Sequence, residues 1–438
     1  MALTDSHIVL GTRTAYCGRG DVKHVLNTGV GTILEIELGH GWFSTGDDRE
    51  TVLSRHGGFM PDMQGTRHAL KQIDYTFKVV VADILTLPEE RQERLELLEM
   101  ELRHLVLDEQ GAFREEIQAL VERDMLPALD ELFQEFESVA LWVPSDDVDL
   151  YLAYVQKHLH PFLVCSPFIQ RVFEKPLGYS GDYRMLNQLL EAPFLGGALF
   201  AKTLNACIIG TSAGEAYRFR VDPLTETLTK ELRDREGAPT AILSVGCGAA
   251  REVQNLIRQG ALNLESARFT LMDFNSLTLE HCEEHLNELC EKHQSSLDVR
   301  YLHLNVQQLL DDSLGQNGEW GLSPGSLDVI YCAGLFDYLS EEVCVPLISL
   351  YSDLLAPGGS IVLSNFSPSN PIRYFMSYLL EWHLIYRSSA ELHGLVPSVI
   401  RSEAWITEEQ SPEGVENYLH IRKHSLSAAS LRSMDKSV

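Results

Sequence analysis

Residues 241–252, AILSVGCGAARE, constrain the fold of this chain more than any other stretch. The first five read as a strand covered on both faces, because no polar alternation marks a solvent side, and such strands belong to parallel sheets. A Gly246-Cys247-Gly248 turn follows at once, and a helix is expected from about Ala249, carrying Arg251, Glu252 and Val253. Glycines allow a sharp turn and let a ligand lie against main-chain N–H groups at a helix N-terminus. This is the pattern of a nucleotide-type cofactor site at the first strand of a doubly wound fold.

The downstream sequence continues the pattern. A second apolar strand, 269–272, ends in Asp273, which follows Gly248 by 25 residues. An acid at the end of the second strand, near this spacing, can hydrogen-bond a ribose. A third strand, 299–304, ends in Asn305, and a fourth, 326–332, leads into AGLFDY. A helix over 342–355 stops at Pro357-Gly358-Gly359, and a fifth strand, 360–364, follows directly.

In this order and spacing, SVGCGAARE, LMDFN, LNVQQL, LDVIYCAGLFDYL and LLAPGGSIVLSNF resemble the class I S-adenosylmethionine-dependent methyltransferases. The Pro-Gly-Gly turn before the fifth strand is the most specific marker. The segments 403–407 and 418–423 fit the antiparallel hairpin that closes that fold. The resemblance implies an α/β Rossmann-like sheet and S-adenosyl-L-methionine as cofactor. It places Gly246, Cys247 and Gly248 against the methionine part and ribose, Asp273 on the ribose hydroxyls, Phe274 on the adenine, and Asn305 and Val306 at the adenine edge. Cys332, Ala333 and Gly334 would line the floor below the sulfonium. One departure stands out: the family often has an acid two residues before the first glycine, and here that residue is Ser244.

Charge narrows the partners. With 35 Lys and Arg against 63 Asp and Glu among 438 residues, the net charge is −28. A nucleic-acid substrate is disfavoured, because phosphate binding needs a basic surface. No run of about 20 apolar residues suggests a membrane span, and the start lacks a secretory pattern. The eight cysteines form no C-x-x-C pair, which reads as reduced thiols in a cytoplasm. No metal site is expected.

Three regions are expected: a β-rich accessory module over 1–72, a helical region with a lid segment over 73–200, and the methyltransferase domain over 201–438. In the first, strands are read at 7–16, 23–25 and 31–38 from β-branched residues between Gly and Asp/Asn breaks. In the second, Leu95, Leu98, Leu102 and Leu105 recur at helical steps, as do Phe113, Ile117, Leu120 and Val121, then Leu126, Leu129, Leu132 and Phe133. This run suits an antiparallel bundle or a helical stalk through which two copies pair.

Ahead of the first strand stands KPLGYSGDYRMLN, a Gly- and Tyr-containing loop that reads both as a lid and as a helix connection with Asp182 capping 183–190. Combined with the SVGCGAAREVQ strand and turn, it resembles bacterial 3-hydroxypalmitic acid methyl ester synthase-type proteins. The resemblance implies O-methylation of a small lipophilic carboxylic acid. Another small-metabolite methyltransferase and a non-catalytic cofactor-binding sensor remain alternatives. Tyr179, Asp182 and Tyr183 are the catalytic candidates, Tyr179 to orient the acceptor and Asp182 to meet the cofactor's ammonium. Phe336, Tyr338, Phe366, Tyr374, Tyr378 and Trp382 are the candidate acceptor wall; His383 is a base only for an acceptor that is not a carboxylate.

Overall fold

The computed structural model describes residues 2–10, 13–27, 32–38, 71–102, 119, 121–191, 193–235, 237–314 and 320–425. At the N-terminus β1 (Ala2–Leu10), β2 (Arg13–Asn27) and β3 (Thr32–Leu38) form an antiparallel sheet in that order. The single strand expected over 7–16 is divided between β1 and β2, with Leu10 opposite Arg13. β-Branched residues stand on both sides of Gly11, so the strand pattern in the sequence runs through the reversal.

The helical region follows as α1 (Tyr75–Leu102), α2 (Leu126–Ala140), α3 (Val148–Leu163), α4 (Pro167–Glu174), α5 (Tyr183–Glu191), α6 (Leu199–Ile209), α7 (Ser212–Phe219) and α8 (Val221–Asp234). In α1 the buried stripe is Phe77, Val80, Val81 and Ile84, with Leu95 further along, whereas Leu98 is exposed. Leu105, Phe113, Ile117 and Leu120 lie outside the described residues. Leu129 and Phe133 of α2 are buried as their spacing predicts.

The larger sheet is built from β4 (Thr240–Val245), β5 (Ala267–Asp273), β6 (Asp298–His303), β7 (Leu327–Ala333), β8 (Leu355–Phe366), β9 (Ala404–Gln410) and β10 (Glu416–Lys423). Its order is β6-β5-β4-β7-β8-β10-β9. β4 to β8 run parallel, joined through α9 (Arg251–Gln259), α10 (Ser276–His293), α11 (Val306–Leu314) and α12 (Glu341–Leu354). β10 lies antiparallel between β8 and β9, the hairpin expected from the sequence. One apolar core on each face explains why β4 shows no polar alternation.

A third core unites the helical region with α13 (Arg373–Leu380), which follows β8. Phe375 of α13 packs at 4.2 Å from Phe133 and 6.5 Å from Phe136, both in α2. The helical region is therefore fastened to the C-terminal edge of the sheet. Connections leave β4 and β7 in opposite directions, and such a switch point opens a crevice at the carboxyl ends of the strands.

Candidate functional site

Gly246 and Gly248 have φ of +69° and +51°, backbone that L side chains rarely adopt. The turn uses its own amides. Gly246 N and Cys247 N both donate to Met272 O, at 2.9 and 3.0 Å, and Gly248 N donates to Asp273 Oδ2 at 3.3 Å. The sequence reading gave these N–H groups to a ligand; they bind the end of β5 instead. What the glycines offer is an open surface, with Gly248 so close to Leu186 that a Cβ would lie 2.9 Å from its Cδ1.

Asp273 closes β5 in a buried position, 6% exposed. Its Oδ1 accepts from Asn275 N at 3.0 Å. Burial pushes its carboxyl up to about 6, against the backbone hydrogen bonds from Asn275 and Gly248 and the charge of His303. Beside it the Tyr179 ring meets Phe274 edge-on, with centroids 4.8 Å apart. Burial and the Asp273 carboxylate push the Tyr179 hydroxyl far up, so it stays protonated.

These groups open onto a cavity of about 600 Å³. Gly246, Gly248, Asp273, Phe274, Asn305 and Val306 line one part of it, and Ala333 and Gly334 also reach it. The lid segment supplies Lys175, Gly178, Tyr179, Ser180 and Gly181. Tyr338 and Trp382 form an aromatic wall in which Trp382 Nε1 donates to Tyr338 Oη at 2.8 Å. Tyr338 Oη donates in turn to Ser180 O at 3.4 Å, tying the lid to the sheet.

The other residues singled out from the sequence stand elsewhere. Asp182 Oδ1 accepts from Arg184 N, Met185 N and Arg171 Nε, each at 2.9 Å, while Oδ2 pairs with Arg171 Nη2 at 2.9 Å. It caps α5 and is buried, 1% exposed. Tyr183 stacks on His281 at 4.5 Å and fixes α5 to α10. Tyr179, by contrast, lines the cavity, with its ring edge-on to Phe274. Cys332 and Phe336 are buried in the sheet core. Phe366, Tyr374 and Tyr378 pack with the helical region, where Tyr378 meets Phe136 at 5.9 Å. Cys247 borders a smaller adjoining cavity.

Sequence reasoning missed several wall residues: Lys175, Leu186, Tyr217, Gln307, Gln308 and Glu381. Gln307 and Gln308 fall within the quoted LNVQQL motif, so their neighbours pointed to them; Tyr217 sits in a helix that carries no motif. His383 also lines the cavity, and burial, with Lys175 nearby, pulls its pKa down. Lys175 and Glu381 face each other at 3.7 Å across the mouth.

The chain has the Rossmann-like fold of class I methyltransferases, on the evidence of its sheet order. No protein-family model matches it, and no curated protein does. Among solved structures, it overlaps a possible exported protein from Bordetella parapertussis at 14% identity, covering 73% of this chain and 100% of that one with a TM-score of 0.44. The carbon methyltransferase CurJ overlaps at 12% identity over 83% of this chain and 97% of its own, TM-score 0.40. Magnesium protoporphyrin IX methyltransferase from Synechocystis PCC 6803, with bound SAH, overlaps at 12% over 49% and 90%, TM-score 0.35. Overlaps of this size do not decide chemistry.

Proposed function

We propose that the protein is an S-adenosyl-L-methionine-dependent methyltransferase of a small, lipophilic acceptor. One observation carries this reading: a single cavity joins the Gly246, Gly248 and Asp273 corner to the aromatic wall of Tyr217, Tyr338 and Trp382. At about 600 Å³ it lies within the roughly 300–1,000 Å³ of small-molecule sites. The residues fit the cofactor: Asp273 offers buried acceptor capacity for vicinal hydroxyls, and Phe274, Leu304 and Val306 offer apolar surface for a base. Bound, the cofactor would supply an activated methyl group, so no metal is needed for the transfer. The chain's part is to align the acceptor and exclude water. Gly178, Tyr179, Ser180 and Gly181 cover the site, and the Tyr338 and Trp382 hydrogen bonds hold that cover.

A carboxylic acid is the acceptor class we favour, because an ionised carboxylate needs no base. The resemblance to 3-hydroxypalmitic acid methyl ester synthases makes a 3-hydroxy fatty acid the first to assay. His383 supports a second reading: a neutral imidazole in the cavity wall can take the proton of a hydroxyl acceptor. Labelled cofactor incubated with 3-hydroxy fatty acids and a panel of phenols and alcohols separates the two. Methyl ester product supports the first, ether product abolished by His383→Ala supports the second, and cofactor binding with no product from a metabolite extract points to a sensor.

A further inference from the structure

Resting on that cofactor reading, the structure also shows what can hold the amino-acid end. A second cavity of about 70 Å³ adjoins the first, and Leu186, Tyr217, Gly246, Gly248 and Ala333 line both. Its wall holds one buried carboxylate, Glu252, and two buried guanidiniums, Arg220 and Arg251. That of Arg251 is engaged by Glu191 and by Asn187 Oδ1, the latter at 2.9 Å.

Glu252 stands in the first turn of α9 and is 7% exposed. Its Oε1 accepts from Tyr331 Oη at 2.7 Å, a neutral partner. Burial pushes its carboxyl up, against the Tyr331 hydrogen bond and the charge of Arg251. Arg220, between α7 and α8, turns Nε and Nη2 onto Glu416, at 3.1 and 2.5 Å, with Asp337 Oδ2 3.8 Å from Nη2, which leaves Nη1 clear of these two carboxylates. Its Nη1 faces Gly334, where a Cβ would overlap it. Glu252 and Arg220 share a cavity without pairing with each other.

The amides of Gly246, Cys247 and Gly248 are spent on Met272 O and Asp273, so these three N–H groups do not meet a charged ligand end in this corner. An end carrying an ammonium and a carboxylate on one carbon matches Glu252 and Arg220. We propose that Glu252 receives the α-ammonium and Arg220 Nη1 the α-carboxylate of the cofactor's methionine end. Ser244, where the resemblance leads one to expect an acid, lines the same cavity. Glu252 brings from α9 the carboxylate that β4 lacks.

Calorimetric binding to the full chain tests this with four ligands: S-adenosylhomocysteine, its analogue without the α-amino group, its decarboxylated analogue, and 5′-methylthioadenosine, which lacks the whole amino-acid end. Wild-type protein should bind S-adenosylhomocysteine at least about tenfold more tightly than each of the others, the worth of one charge-assisted hydrogen bond. Glu252→Gln should lose about that factor on S-adenosylhomocysteine and nothing on the deamino analogue or methylthioadenosine. Arg220→Gln should lose it on S-adenosylhomocysteine but not on the decarboxylated analogue. Retained methylthioadenosine binding shows that each variant is folded, and the wild-type ligand series stands if Arg220→Gln does not fold. Equal wild-type affinity for S-adenosylhomocysteine and methylthioadenosine overturns the clamp alone, as does a Glu252→Gln effect that is equal across all ligands or absent. Wild-type protein that binds none of the four overturns the cofactor reading and the clamp with it.

Discussion

Asp273 should make cofactor binding depend on pH in a range where the ligand itself does not titrate. The ionised carboxylate is the form that accepts ribose hydroxyls, and in the free protein burial has pushed its carboxyl from 3.8 up to about 6. At about pH 5 roughly one molecule in ten carries the ionised form, and at about pH 7 roughly nine in ten, so S-adenosylhomocysteine should bind about tenfold more weakly at the lower pH. The sign for folding is opposite. A raised acid favours the folded state while protonated, so the contribution of Asp273 to the stability of the free protein is lost as pH rises from about 4 to about 6 and is level above that. Asp273→Asn keeps the shape but sets an amide nitrogen against one of two N–H donors, Asn275 N or Gly248 N. It should weaken binding by about tenfold to a hundredfold at neutral pH, from the roughly 1.5–3 kcal/mol of a hydrogen bond to a charged group, and abolish the slope below it. Isothermal titration at several pH values reads both quantities. A wild-type affinity that is flat from about pH 5 to 7, or an Asn variant that keeps the slope, refutes the assignment of Asp273 to the ribose.

Three further outcomes are expected. Gly334→Ala places a Cβ against Arg220 Nη1 at a φ of +91°; it should cost about 1–3 kcal/mol and weaken S-adenosylhomocysteine, and a melting curve and affinity equal to wild type would contradict the Arg220 placement. Asp182→Ala removes the α5 cap and strands Arg171; it should cost about 2–4 kcal/mol in denaturant unfolding while the folded fraction binds cofactor as wild type does, and a selective loss of cofactor affinity would return Asp182 to the site. Tyr338→Phe leaves Trp382 Nε1 without its acceptor and the lid without its tie; it should cost about 1 kcal/mol and raise the acceptor KM with cofactor affinity unchanged, and unaltered kinetics would release Tyr338 from the acceptor wall.

The central strands β4 and β5 were legible because burial on both faces keeps them apolar and a glycine or an acid marks their carboxyl ends. Val245 gives way to Gly246 and β5 closes on Asp273, whereas the Pro-Gly-Gly turn expected ahead of the fifth strand lies inside β8, which begins at Leu355. The first-strand glycines were legible as a turn but not as to where its amides point. That depends on the carbonyl of Met272, which parallel pairing with β4 sets beside the turn. Asp182 was legible both as a cap and as a ligand, and only the arrival of Arg171 from α4 decides between them.

The aromatic wall of the cavity was harder, because an aromatic run has the same spacing whether it fills a core or lines a cavity. In the segment after β8, Phe375 and Tyr378 are swallowed by the helical region, and α13 ends at Leu380. Glu381 then takes a left-handed φ of +48°, closed by Trp382 N donating to Met376 O at 3.1 Å. That reversal turns Trp382 and His383 out of the helix and into the cavity. A helix end of this kind is read in a sequence from glycine or asparagine, and a glutamate there gives no such sign. The left-handed conformation costs a non-glycine residue about 1–2 kcal/mol, and contacts distant in sequence offset it: Gln156 Nε2 donates to Glu381 Oε1 at 3.0 Å, and Lys175 stands 3.7 Å from Oε2. Lys175 is itself left-handed, with φ +47°. The lid loop and the segment bearing Trp382 thus start from two strained helix ends that meet across the cavity mouth. The position of the Trp382 side of the cavity follows from that pairing and not from the aromatic run.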